Sequence, residues 1–232
     1  MRLLLIRHGQ SLDNLAWNAG MESIGDEDSP MTDLGHSQAA SLAQAFRDGL
    51  LPKPDHLMSS LMVRAVQTVA PIAQALDQQV TGLVKAYEVG GVYRTTDSYE
   101  SPYPGLKRAE LLQCCPNLVL PPVVTDEGWY FRSIEPRIEA WSRAERVISR
   151  LMILYGNSND LVALVSHGMF IQLLWRVLVG WQPNLSTPLL DAWFCMNNTG
   201  TVFLSSPGDF GEKASIYWIN RTDHLSPDQL TN

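Results

Sequence analysis

Leu3-Leu4-Leu5-Ile6-Arg7-His8-Gly9 is an apolar run long enough for one buried strand, cut off by an arginine, a histidine and a glycine. Far along the chain, Leu161-Val162-Ala163-Leu164-Val165 repeats the pattern and stops at Ser166-His167-Gly168. In open α/β sheets ligands gather at the carboxyl ends of the strands, so residues placed there are the first candidates for chemistry. If both strands are parallel and central, His8 and His167 emerge at the same edge.

Between and beyond these strands the chain alternates strand and helix patterns. Thr32 or Asp33 can cap a helix with Leu34, Ala39, Leu42, Ala43 and Phe46 on its apolar face, ended by Gly49, Pro52 and Pro54. His56 to Ser59 reads as a short strand. The next helix carries Arg64-Ala65-Val66-Gln67-Thr68 towards Asp77, and Pro71 should kink it or open a new segment. Val80 to Tyr87 reads as a third strand that delivers Glu88. Pro136 opens an amphipathic helix with Ile138, Trp141, Val147, Ile148, Leu151 and Leu154 on one face, closed by Gly156 to Asn159. A helix follows His167 as far as Gly180. Trp141, Trp175 and Trp181 fall in these apolar helical patterns and suit core or interface. Thr201 to Leu204 and Ala214 to Ile219 suit a closing hairpin around Ser206-Pro207-Gly208, and the polar tail after Thr222 is expected to be mobile.

The exception is the stretch from Val89 to about Pro136. Gly90-Gly91, Thr95 to Ser98, Ser101 to Gly105 and Pro121-Pro122 are turn chemistry, and only Lys107 to Cys115 looks helical. Its aromatics, Tyr93, Tyr99, Tyr103, Trp129, Tyr130 and Phe131, suit a lid or substrate-facing wall, or else a peripheral subdomain with its own core. The length of 232 residues suits a single α/β domain, 1–232, with an insertion at about 89–136 over the active site. The expected fold is a three-layer α/β/α sandwich with a mostly parallel central sheet.

Composition narrows the function. With 45% hydrophobic and 18% charged residues and a net charge of −7, the chain is an ordinary globular one whose acidity argues against nucleic acid or anionic membrane as partner. The N-terminal apolar run is too short for a signal-peptide core, and Met169 to Trp181 is too short to span a bilayer. Cys114, Cys115 and Cys195 are odd in number, two of them adjacent, and lack zinc-ligand spacing. They read as structural thiols of a cytoplasmic protein.

A bound anion must then be held by local groups. Arg7 and Arg64 offer guanidinium forks that match phosphate oxygens, and helix N-termini at the same edge would add N–H donors. A histidine in such a pocket can be the nucleophile, its neutral ring nitrogen attacking phosphorus while the other nitrogen donates to an acceptor. Arg7, Arg64 and His167 would meet the charge on the phosphoryl oxygens. Glu88 is the best-placed carboxyl to protonate the leaving oxygen, with Glu100 and Glu110 as alternatives. No metal ligand set and no cofactor are needed. Of the insertion's basic residues, Arg94, Lys107, Arg108 and Arg132, the one next to Trp129-Tyr130-Phe131, Arg132, is the candidate for touching substrate. His36, His56 and His224 lack such context and suit surface or capping roles.

These residues also form a recognisable series. Leu5 to Gly9 with Ser11 and Asn14, Met31 to Gly35 with Gln38-Ala39, Ser60 with Arg64 to Thr68, Glu88 before Gly90-Gly91, and Ser166-His167-Gly168 resemble, in order, the motifs of the histidine phosphatase superfamily, the phosphoglycerate mutase-like proteins. The resemblance implies that His8 is phosphorylated, that Arg7, Arg64 and His167 bind the phosphoryl group with help from Asn14, and that Glu88 is the proton donor. Gln10 stands where many members have glutamate, which bears on loop structure. Leu15 to Met31 does not resemble the corresponding stretch of cofactor-dependent mutases. The expected activity is therefore metal-independent hydrolysis of a small phosphomonoester. Alternatives are a phosphoglycerate-type phosphomutase or a weakly catalytic member that binds a phospho-ligand or partner. Substrate identity and oligomeric state stay open.

Overall fold

In the computed structural model, residues 1–20, 28–95, 100–181, 194–206 and 214–232 are described. The strands are β1 (Arg2–Arg7), β2 (His56–Ser60), β3 (Val80–Leu83), β4 (Tyr93–Thr95), β5 (Glu100–Pro102), β6 (Leu118–Val119), β7 (Leu161–Ser166), β8 (Thr201–Ser205) and β9 (Ser215–Arg221). The helices are α1 (Leu12–Asn18), α2 (Asp33–Arg47), α3 (Val63–Leu76), α4 (Arg108–Cys114), α5 (Arg137–Tyr155) and α6 (Gly168–Leu178). The main sheet has the order β6-β3-β2-β7-β1-β8-β9. It is parallel from β6 to β1 and antiparallel through β8 and β9.

The unbroken apolar runs of β1 and β7 are explained by burial on both faces, as parallel central strands require. Alternation sends Leu3 and Leu5, with Val162 and Leu164, towards α5 and α6. Leu4 and Ile6, with Ala163 and Val165, face α2 and α3. The result is the expected three layers, with β1 and β7 side by side and Arg7 opposite Ser166 at the last rung.

Several local expectations are corrected. The third strand ends at Leu83, half its expected length, because the chain turns there and Ala86 N bonds Leu83 O at 3.1 Å. Glu88 therefore stands five residues beyond the strand. Helix α1 was not legible, since of its residues only Ala16 is buried and there is no apolar stripe. Pro71 does not open a new segment: α3 runs through it from Val63 to Leu76, held by its buried face of Val66, Val69, Ile72 and Ala73 despite the lost backbone bond. On α5, Ile138 and Leu154 point to solvent, and the buried stripe is instead Ala140, Trp141, Arg143, Ala144, Val147, Ile148, Leu151 and Met152.

The insertion also differs from expectation. It is neither a separate subdomain nor an aromatic wall throughout: Val92, Leu111, Val124, Trp129 and Tyr130 bury themselves in the same core as α3 and β2, and β6 extends the main sheet. Phe131 is exposed. The expected turn at Thr95 to Ser98, together with Tyr99, lies largely outside the described residues, as do the acidic loop residues Asp26-Glu27 and the hairpin turn after Ser206. The tail is pinned, not loose. Gln38, fully buried on α2, donates through Nε2 to Gln229 O and Thr231 Oγ1, both at 2.7 Å, and Asn198 N donates to Thr231 O at 2.8 Å. A buried amide needs partners, and the polar tail supplies them.

Candidate active site

His8 and His167 each follow the last rung of adjacent parallel strands, and their ring centroids lie 5.1 Å apart. Both are buried. His8 Nδ1 donates to the Gly9 carbonyl at 2.7 Å, which fixes the tautomer and leaves Nε2 as an acceptor. Arg64 Nε donates to that Nε2 at 3.1 Å. His167 Nε2 and Ser60 Oγ share a hydrogen bond of 2.8 Å. Arg7 Nη1 donates to Met196 O. Arg7 Nε and His167 Nδ1 are buried with no hydrogen-bond partner among the described residues. Such orphans are costly, and two of them flanking His8 mark the place where an anion would complete the bonding.

The loop carrying His8 is held from three sides. Gly9 N donates to Thr68 Oγ1 on α3 at 2.9 Å, and Gln10 N to Gln38 Oε1 on α2 at 2.8 Å. The Gln10 side chain takes the Thr32 hydroxyl at 2.8 Å, a loop role as the sequence suggested. From the third side, Asn198 Nδ2 and Thr199 N both donate to the His8 carbonyl at 3.2 Å. Asn14 sits in the first turn of α1 as half of a capping box with Ser11, and its Oδ1 accepts from Asn198 Nδ2 at 3.0 Å.

Gly9 and Gly35 pack back to back. A Cβ on Gly9 would lie 2.6 Å from Gly35 O, and one on Gly35 would collide with Gln10 O and N. Gly35→Ala is thus expected to cost about 2 kcal/mol, roughly 5 °C in melting temperature, and to lower turnover by displacing the loop. Parallel melting and rate measurements check this, and an unchanged enzyme would show that the loop yields freely.

Glu88 reaches the same edge from the segment after β3. Its Oε1 accepts from Val89 N (2.8 Å) and Phe170 N (2.9 Å), and Oε2 from Met169 N (3.1 Å). Two of the N–H groups in the first turn of α6, those of Met169 and Phe170, are therefore taken by a carboxylate of the protein and are not free for a ligand. The N-terminus of α3 is likewise occupied: Val63 N donates to both oxygens of buried Asp28, which also lies 3.9 Å from Arg64 Nη1.

Electrostatics keep both histidines neutral. Burial above all, then the fields of Arg64 and Arg7, holds His8 well below the ordinary imidazole value, with the Gly9 carbonyl opposing weakly. His167 is held down by burial and then chiefly by Arg64. Burial brings Arg7 down to about 10, Glu88 opposing and Arg64 adding, so it stays cationic at neutral pH. Outside the site, burial lowers His224 to about 4.

The three histidines take up protons near 6.5 when unfolded but resist them when folded. The unfolded state binds more protons below that pH, so stability falls as pH drops from about 6.5, for His224 down to about 4. The melting temperature should decline between pH 7 and 4.5, and His224→Gln should flatten part of the decline; an identical slope in the variant would contradict the assignment.

The structure thus brings together Arg7, His8, Arg64, Glu88 and His167, with Asn14 joined through Asn198. It does not bring Arg132 to them. Arg132 is exposed and lines a separate cleft of about 360 Å³ with Tyr87, Tyr130, Glu139 and Arg146. Sequence reading missed Asn198, Asp28 and Arg143, a fully buried arginine on α5. Local sequence carries no signal for them, because each owes its place to contacts across long chain separations.

Comparisons with known proteins find relatives in sequence and in fold. A probable phosphoglycerate mutase GpmB of Yersinia enterocolitica is 27% identical over 186 residues, 79% of this chain and 77% of its own. A glucosyl-3-phosphoglycerate phosphatase of Mycolicibacterium vanbaalenii is 27% identical over 228 residues, 94% and 91% of the two chains. Among solved structures, a mycobacterial glucosyl-3-phosphoglycerate phosphatase superposes with TM-score 0.61 at 21% identity, covering 94% of this chain and 98% of that one. A phosphoserine phosphatase of Entamoeba histolytica, in complex with 3-phosphoglyceric acid, gives 0.59 at 22% identity over 97% and 99%. These two show the fold. The pattern of the histidine phosphatase superfamily (branch 1) matches residues 3–190, a span that takes in both strand–histidine–glycine units and the residues between them, and the chain belongs to that family.

Proposed function

We propose that residues 1–232 act as one phosphatase domain that hydrolyses a small phosphomonoester through a phosphohistidine on His8. The observation that carries this reading is the locked ring: Nδ1–H is spent on Gly9 O, so the lone pair is on Nε2, where Arg64 meets it. A phosphoryl oxygen that takes over the Arg64 N–H frees that lone pair for attack on phosphorus. The P–O bond to the alcohol breaks as the N–P bond forms, and the proton that a monoanionic ester brings with it passes through Glu88 to the leaving oxygen. Water then attacks the phosphohistidine, Glu88 takes a proton back, and the N–P electron pair returns to Nε2. Arg7, Arg64, His167 and the Asn14 amide stabilise the phosphoryl oxygens, so two guanidiniums supply the positive charge without a metal.

Relatives named for glucosyl-3-phosphoglycerate and phosphoserine support a small organic phosphate as substrate. The thiols of Cys114, Cys115 and Cys195 are unbridged, in keeping with a reducing cytoplasm. Among the described residues no helix is long and apolar enough to cross a membrane.

Phosphate release from a panel of small organic phosphates, in the presence of EDTA, tests the proposal. Turnover undiminished by chelator is expected. Release that requires added metal would overturn the route, and an isomerised ester without free phosphate would move the assignment to a mutase.

A further inference from the structure

Arg143 lies in the middle of α5 and is 1% exposed. Its guanidinium is fully engaged. Nε and Nη2 grip the Glu135 carboxylate at 2.8 and 2.6 Å, Nη1 donates to the carbonyls of Lys85 (2.9 Å) and Tyr87 (2.8 Å), and Nη2 reaches the Glu88 carbonyl at 3.4 Å. The ring of Tyr87 covers one side at 3.6 Å from its centroid, and the ring of Phe170 lies at 3.9 Å. Phe170 is the residue whose N–H holds Glu88 Oε1.

This arrangement addresses a specific mechanical problem. Strand β3 stops at Leu83, so no sheet rung holds residues 85–88, and their carbonyls need donors away from water. Arg143 provides donors from α5 to the carbonyls of Lys85, Tyr87 and Glu88, Ser166 Oγ on β7 provides one to Ala86 O at 2.8 Å, and α6 holds the Glu88 carboxylate from the other end. A buried ion pair is weak support for stability in itself, since the desolvation cost rivals the attraction. Its value here lies in geometry: one rigid planar group sets the backbone of the segment against the helix that aims its terminal side chain.

We infer that Arg143, clamped by Glu135, is the positioning residue that holds Glu88 at the distance needed to protonate the leaving oxygen. The inference rests on the reading of Glu88 as proton donor given above. It is distinct from a purely structural role because it predicts a dependence on the leaving group. An ester of a poorly acidic alcohol needs the proton, whereas p-nitrophenolate leaves largely without it.

The test compares kcat/KM, which reports phosphorylation of the enzyme, for p-nitrophenyl phosphate and a simple alkyl phosphate in wild type, Arg143→Lys, Glu88→Gln and the double variant. Arg143→Lys is expected to lose about tenfold more on the alkyl ester than on the aryl ester, Glu88→Gln to show the same bias more strongly, and the double variant to be no worse than Glu88→Gln alone on the alkyl ester. A bias in Glu88→Gln but equal losses on both esters in Arg143→Lys would overturn the positioning role alone. No bias in Glu88→Gln would overturn the proton-donor reading, and this inference with it. If Arg143→Lys does not fold, Glu135→Gln opens the same clamp from the other side, and absence of bias there counts equally against the proposal.

Discussion

His8→Ala is expected to lower phosphate release by about four orders of magnitude or more, leaving binding and residual electrostatic effects only. The magnitude follows from the geometry. The orientation of the Nε2 lone pair is enforced by the backbone itself, through the Nδ1–H bond to Gly9 O. His167, 5.1 Å away between centroids, has no equivalent lock, and its Nε2 is engaged with Ser60 Oγ. It is not poised to take over. The decisive measurement is a single turnover with labelled ester, quenched in alkali to preserve the acid-labile N–P bond. Wild type should carry protein-bound label and the variant none. A melting curve close to wild type would show that the loss is chemical. Residual turnover above about one per cent would place the nucleophile elsewhere.

The second large effect is expected at Arg64. Arg64→Ala should lower kcat/KM by about a thousandfold, in the range found for loss of a preorganised donor to a developing anion. Arg64→Lys should recover no more than about tenfold, because an ammonium lacks the fork that can address the histidine and a phosphoryl oxygen together. A further signature separates this from simple loss of affinity. Arg64 is the largest electrostatic contribution, after burial, to holding down both His8 and His167. Removing its charge raises the basicity of both rings, so the acid limb of the pH–rate profile should move upward, towards neutrality. A profile of unchanged shape would mean that Arg64 does not sense the protonation of His8.

Much of this was legible in the sequence, for identifiable reasons. Two apolar runs that each break at His-Gly place His8 and His167 at strand ends, and a parallel sheet then does the rest; Arg7 and Arg64 follow because each adjoins such an end. The expected third strand brought in Glu88, and the motif series brought in Asn14. What the sequence hid falls into two kinds. Helix α1 is short, and a short element leaves too few residues for a period to show, while β3 was expected but read four residues too long. Arg143, Asp28 and Asn198 are polar residues whose burial depends on partners far along the chain, such as Thr231 for Asn198. Ile138 and Leu154 show the converse error: both suit an apolar stripe by type, yet α5 turns its Ala140 and Ala144 side to the sheet and leaves them outside.

The pairing of β1 with β7 has a consequence for motion. Six consecutive register pairs, from Arg2 opposite Leu161 to Arg7 opposite Ser166, tie the two histidine-bearing strands together through the middle of the sheet. A central ladder of this kind opens only with the whole structure, so the amides of Leu3 to Ile6 should exchange with solvent at the rate of global unfolding. The spacing of the two imidazoles is then a property of the folded state as such, insensitive to breathing elsewhere. Whatever rearrangement accompanies substrate entry must then be borne outside this ladder, while the histidine pair stays put.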